Sequence, residues 1–237
     1  MKHYISNGYL YFKKSLSSLW LAVKPKRKNY IKLYRDDDEK DENLPCSDLK
    51  RLFIAIEVVP NEQFMAIYNR LKSHTTKLDK INWTNPALLH ITLKFLGEVP
   101  AEKVPAIAEG LRFACKNLSP FTIDIAFVGL FGSVYNPRVL WFGVDNAEIL
   151  QQIHHSLDKQ MRKLGLPPHI GNFVPHLTIA RINRIDNKKR FLNYVEQDRT
   201  QYIQQLTVTE ILLYETKFKR GLPFYEKIVT ERLKKSL

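Results

Sequence analysis

The chain has 237 residues, 44% hydrophobic and 11% aromatic, enough to build one large core or two small lobes. No apolar run approaches the roughly 20 residues of a membrane-spanning helix, and two cysteines at unrelated positions, Cys46 and Cys115, offer neither a disulfide framework nor zinc-ligand spacing. The net charge of +13 favours a polyanion such as RNA, or a phosphorylated small molecule, as partner.

That charge is unevenly spread. Residues 1–35 hold nine Lys/Arg and no acids, whereas 36–48 (DDDEKDENLPCSD) hold seven acids and one Lys. Residues 1–50 are therefore expected to be a poorly ordered extension, basic then acidic, with a few helical turns near Tyr9–Val23; the alternatives are a basic arm that touches nucleic acid or membrane, and a segment that precedes the true start of translation. The stretch 10–25 is a poor signal peptide, because its thin apolar run leads into KPKRK instead of a cleavage site. A monomer in a reducing, cytoplasmic setting is the expectation. The body, 51–237, keeps a charge of +9 without the extension.

From Arg51 the elements follow in order. RLFIAIEVV is a buried strand. Asn61 caps a helix with Phe64, Ile67, Tyr68 and Leu71 at helical spacing. INWTNP is short and extended, and a strand of about 88–96 ends at Gly97. A second helix after Pro100 carries Val104, Ile107, Ala108, Leu111 and Cys115 on one stripe. FTIDIAFVGL is a strand and FGSVYNP a turn-rich loop. RVLWFGV (138–144) restarts the pattern. Asn146 then caps a helix with Leu150, Ile153, Leu157 and Leu164, ended by Gly165. LPPHIGN is a loop, FVPHLTIARI a strand, 187–197 a short helix, and 203–215 and 223–230 are strands.

One pattern, His-x-Thr, occurs twice, as His90-Ile91-Thr92 and His176-Leu177-Thr178, each inside an alternating strand. Alternation puts His90, Thr92 and Lys94 on one face and Leu89, Ile91, Leu93 and Phe95 on the other; His176 and Thr178 likewise share a face. Arg51 to His90 is 39 positions and Arg138 to His176 is 38, which indicates an internal duplication. Two imidazoles suit phosphodiester hydrolysis, one taking a proton from water and the other giving one to the leaving oxygen. The threonines two positions on would donate to phosphoryl oxygens. Arg181 is a candidate phosphate clamp, but strict alternation puts it on the wrong face unless the strand bulges or ends before it. His154-His155 reads as a solvated helix face, and His169 has no matching context. No carboxylate cluster at ligand spacing calls for metals or another cofactor.

These residues resemble the 2H phosphoesterase superfamily, and within it the RNA 2′,3′-cyclic phosphodiesterases, historically called 2′-5′ RNA ligases (ThpR/LigT type). The matching pieces are RLFIAI, LLHITLKFLGEV, RVLWFGV, VPHLTIAR and VTEILLYETKFKRGLPFYE, in the family's order across 51–237. The resemblance implies an α+β fold of two pseudo-symmetric lobes, with mainly antiparallel sheets and flanking helices around a cleft. It implies metal-independent hydrolysis of RNA 2′,3′-cyclic phosphate ends to 2′-phosphates. His90 would be the proton donor and His176 the proton acceptor, with Thr92, Thr178 and Arg181 on the phosphate. The substrate would be RNA 3′ ends or small cyclic nucleotides. The alternatives are a 2′-5′ ligase or phosphodiesterase on another substrate, and a non-catalytic RNA-binding module. Phe53, Phe131 and Tyr214 are candidates for stacking on a base, although each also reads as a core residue.

Overall fold

The computed structural model describes residues 49–133 and 135–234, preceded by three two-residue strand segments, Ile5–Ser6, Tyr9–Leu10 and Leu21–Ala22. The helical turns expected near Tyr9–Val23 lie outside the described residues, except for the extended pairs Tyr9–Leu10 and Leu21–Ala22. The body opens with β1 (Leu49–Glu57) and α1 (Glu62–Ser73). There follow β2 (Lys80–Trp83), β3 (His90–Pro100), α2 (Val104–Cys115) and β4 (Phe121–Ser133). The second half comprises β5 (Asn136–Asp145), α3 (Glu148–Lys163), β6 (His176–Arg184) and α4 (Lys188–Gln197). It closes with β7 (Tyr202–Val208), β8 (Glu210–Lys219) and β9 (Leu222–Arg232).

The continuous apolar run of β1 has a simple cause: both of its faces are covered. Leu52, Ile54 and Ile56 enter the main core, while Phe53 and Ala55 join Leu212 and Tyr214 in a smaller cluster on the other face. At α1 the expectation holds in detail. Asn61 accepts at Oδ1 from the Phe64 amide at 2.8 Å, and Phe64, Ile67, Tyr68 and Leu71 are buried.

The sheet runs β7-β4-β5-β6-β3-β1-β8-β9, with β2 paired to β6, and every one of these pairs is antiparallel. The two motif strands are thus central neighbours, each flanked outward by the first strand of its own repeat. Register makes the duplication exact in position. Glu57 pairs with His90 and Gly143 with His176; Phe53 pairs with Phe95 and Val139 with Arg181. Each residue stands 86 positions before its counterpart, so Arg51 corresponds to Pro137, one place earlier than the match to Arg138 expected from sequence. One core spans both repeats, with Phe64 of α1 edge-on to Phe142 of β5 at 5.0 Å.

Several boundaries differ from expectation. β3 continues through Gly97 to Pro100, because Gly97 takes a left-handed φ of 76° at a bulge instead of ending the strand. Most of FGSVYNP belongs to the β4–β5 hairpin. The single strand expected at 203–215 is two: β7 pairs with β4, whereas β8 crosses to pair with β1 and β9. Asn146 does not cap α3. It sits at φ 45° with Oδ1 accepting from the Asp124 amide, and Ala147 holds the cap position. His154, expected on a solvated face, is buried, while its neighbour His155 is exposed.

Candidate active site

β3 and β6 meet at one register pair, Ile91 with Leu177, the middle residues of the two motifs. Both side chains are fully buried in the core. Alternation therefore turns His90, Thr92, His176 and Thr178 together onto the opposite face. Continuing the antiparallel register sets His90 across from Thr178 and Thr92 across from His176, so each imidazole neighbours the other motif's hydroxyl.

Both rings are held the same way. Nδ1 of His90 lies 2.8 Å from the Leu88 carbonyl, and Nδ1 of His176 lies 2.8 Å from the Val174 carbonyl. A carbonyl can only accept, so each Nδ1 carries a proton and proton exchange falls to Nε2. Burial pushes the His90 pKa below the usual imidazole range, and the nearby Arg181 charge pushes it the same way, against the opposing effect of the Leu88 bond.

The two strands share a second feature. The β1–β3 register passes from Ala55–Thr92 to Ile54–Lys94, leaving Leu93 as an extra residue. The β5–β6 register passes from Trp141–Thr178 to Leu140–Ala180, leaving Ile179 extra. Both bulges fall three positions after the histidine, and each reverses the alternation beyond it. Arg181 is thereby carried to the motif face, where its charge reaches His90 and Tyr225. The same bulge overturns two expectations in β3. Lys94 turns into the core, 3% exposed, where it pairs with Asp158 at 2.6 Å and donates to the Pro167 carbonyl at 2.9 Å. Phe95 turns onto the motif face and is exposed.

Aromatic rings wall both histidines. Phe53 lies 4.9 Å from the His90 ring and Tyr225 meets it edge-on at 5.1 Å. Tyr214 stacks on Phe53 at 5.2 Å, and the Arg51 guanidinium lies 5.9 Å from the Phe95 ring centre. On the other side Phe131 is edge-on to His176 at 4.7 Å, with Trp141 beyond it at 6.3 Å. Gly129 makes room for this indole, since a Cβ there would come within 2.3 Å of the Trp141 ring. Trp141 Nε1 is buried with no hydrogen-bond partner among the described residues. The three stacking candidates thus sit on the motif face; Phe53 and Tyr214 are buried there outside the main core.

Sequence reasoning passed over Tyr225, Trp141 and Arg51. Trp141 was within reach, because alternation in β5 puts it with Gly143, the residue opposite His176. Tyr225 carries no local signal; the β8–β9 hairpin alone brings it to His90.

The arrangement matches known proteins. Residues 60–219 fit the model of the 2′-5′ RNA ligase superfamily. The chain belongs to that superfamily. Curated relatives include an RNA 2′,3′-cyclic phosphodiesterase of Methanocaldococcus jannaschii, 32% identical over 181 residues, covering 75% of this chain and 98% of the relative. Another of that name, from Thermotoga maritima, is 31% identical over 191 residues, covering 74% and 99%. Among solved structures, E. coli LigT in apo form superposes with a TM-score of 0.59 at 26% identity, covering 78% of this chain and 98% of that one. E. coli LigT complexed with phosphate superposes with a TM-score of 0.56 at 27% identity, covering 79% and 99%. The superfamily member described here carries both motifs on the paired central strands of that fold.

Proposed function

We propose that this protein hydrolyses RNA 2′,3′-cyclic phosphate ends to 2′-phosphomonoesters, with His90 and His176 as its proton-transfer pair and no metal in the step. The observation that carries this reading is the paired presentation of the two motifs: same face, same Nδ1 tether, adjacent strands, with Arg181 beside them. The relatives' names supply the substrate class. Water attacks phosphorus and gives its proton to Nε2 of His176. The bond from phosphorus to the 3′-oxygen breaks, and that oxygen takes the proton held on Nε2 of His90. The products are a 2′-phosphomonoester and a 3′-hydroxyl. Thr92, Thr178 and Arg181 hold the non-bridging oxygens as charge grows on them.

The donor role of His90 follows the superfamily's pattern and needs a protonated imidazole. Its lowered pKa works against that in the free protein. A bound phosphodiester anion opposes both causes, since it adds a negative neighbour and offsets the Arg181 charge. The same depression favours a second reading, in which His90 is the base and His176 the acid. An activated nitrophenyl leaving group separates them, because it departs without protonation. Under the first reading His90→Ala keeps activity on such a substrate while His176→Ala does not; the reverse result exchanges the roles. Turnover of a cyclic-phosphate oligonucleotide to a 2′-phosphate product in EDTA tests the reaction itself, and failure of the wild-type protein to turn over would leave an RNA-binding role.

A further inference from the structure

A β-bulge leaves its extra residue outside the regular ladder, so a buried bulge carbonyl must find its donor elsewhere. Leu93 is 1% exposed and Ile179 is fully buried. The Leu93 carbonyl accepts from Nδ1 of His154 at 2.6 Å. The Ile179 carbonyl accepts from the Thr84 amide at 2.9 Å, just past β2. Thr84 is in turn held through its own carbonyl, which accepts from the Tyr68 hydroxyl at 2.8 Å. His154 and Tyr68 are equivalent residues of the duplication, 86 positions apart on the buried faces of α3 and α1. The supports are exchanged between repeats. The helix of the second repeat holds the bulge of the first motif, and the helix of the first repeat holds the bulge of the second.

We infer that His154 and Tyr68 are positioning residues for the two motif histidines, His154 for the His90 strand and Tyr68, through Thr84, for the His176 strand. Each bulge lies one residue past the motif threonine and sets which side chain comes next to the site, Phe95 in one case and Arg181 in the other. A bulge allowed to relax toward regular alternation would change the phase of the strand at the point where imidazole and hydroxyl must stay on one face. Neither support touches the reacting groups, so the effect passes through the backbone. His154 is fixed at one ring face, at its edge and at its nitrogen. It stacks on Phe173 at 4.0 Å and nearly parallel, meets His169 edge-on at 4.7 Å, and donates to Leu93 beside the Lys94–Asp158 pair.

The test uses the whole chain and two readouts. Imidazole ¹⁵N–¹H spectra report the environment of each motif histidine whatever the protein's substrate; steady-state kinetics on a 2′,3′-cyclic phosphate oligonucleotide report the step and rest on the function proposed above. His154→Leu removes the donor at similar volume, and His154→Asn keeps a donor near the Nδ1 position. Tyr68→Phe removes only the hydroxyl. His154→Leu is expected to shift the His90 signals and leave those of His176 in place, with kcat lower by about tenfold, since small misplacements of catalytic groups cost that much or more. His154→Asn retains most of the activity and the wild-type His90 signals. Tyr68→Phe is expected to shift the His176 signals and not those of His90, with a smaller loss of kcat. Folded variants in which neither histidine responds, or in which both respond equally to either change, overturn the inference. A wild-type protein without turnover but with the crossed spectral pattern would retain the inference and remove the proposed reaction.

Discussion

β3 and β6 carry the same tripeptide face, the same Nδ1 tether and the same bulge, yet the residues around them diverge. Five positions past the histidine, one strand has Phe95 and the other Arg181. Opposite the histidine, one has Glu57 and the other Gly143; opposite the threonine, Ala55 stands against Trp141. The duplicated backbone thus presents two equally tethered imidazoles, and the residues that differ around them put a phenylalanine beyond one motif and an arginine beyond the other, with aromatic rings beside both histidines. Symmetry explains why the histidines belong together, and its breaking is what could give them separate tasks.

Removing either of the proposed proton carriers is the largest perturbation of this comparison. His90→Ala and His176→Ala are each expected to lower kcat on a cyclic-phosphate oligonucleotide by about 10²–10⁴-fold, the usual worth of a positioned acid or base. The double variant should fall little further than the worse single one, because groups that act as a unit are not additive. Rapid-quench kinetics with product analysis checks this, and additive losses would mean that the two act in separate steps.

Next in size is the stability difference between the strands just past the bulge, where β3 buries Lys94 and β6 buries Ala180. Asp158→Ala strands the Lys94 ammonium in the core and should destabilise the protein by about 3 kcal/mol in urea unfolding. Lys94→Met with Asp158→Ala removes both charges and keeps the length of the buried Lys94 side chain, and should recover most of that loss. A double variant as unstable as the single one would show that the pair is needed for more than its own charge balance.

The Arg181–Phe95 contrast comes third. Arg181→Ala should lower kcat/KM by about 10²-fold, the lower end of what loss of a single donor at a transition state costs. Arg181→Lys should restore only part, since an ammonium cannot reproduce the guanidinium fork. Phe95→Ala, at the equivalent position, should change kcat/KM by less than about threefold, as expected of a side chain with no charge to offer the phosphate. Equal losses at the two positions would mean that Arg181 acts by packing and not by charge.

The sequence made legible what depends on local period. The two motif faces, the buried run of β1, the Asn61 cap and the duplication were all readable from alternation, helical spacing and matched distances. The bulges at Leu93 and Ile179 were not, because neither contains a glycine or proline to mark it and both donors come from distant elements. That single omission misplaced Lys94 and Phe95 and left Arg181 undecided. His154 was misjudged for a related reason: its helix face looks polar until the Leu93 carbonyl and Phe173 are packed against it. The break at Thr209 and the approach of Tyr225 to His90 depend on strand partners that no local pattern names.

The smallest expected effect concerns pH and separates His90 on the first motif strand from His154 on α3 behind it. His90 and His154 both titrate below the usual imidazole range in the folded protein, each chiefly because burial disfavours the charged form. In the unfolded chain both return to about 6.5. The unfolded state therefore binds more protons between the folded and unfolded pKa values, and stability present above about pH 6.5 is lost as pH falls through that window. Thermal unfolding midpoints should drop between pH 7 and pH 5 for the wild type. His154→Asn, which keeps the donor to Leu93 but cannot titrate, should show a shallower drop, and His90→Asn a shallower one as well. If the proposed chemistry holds, saturating inorganic phosphate should flatten the His90 share and leave the His154 share, because an anion at the site favours the charged imidazole of His90 while the buried ring on α3 lies behind the sheet. A slope changed equally in both variants by phosphate would place the anion elsewhere.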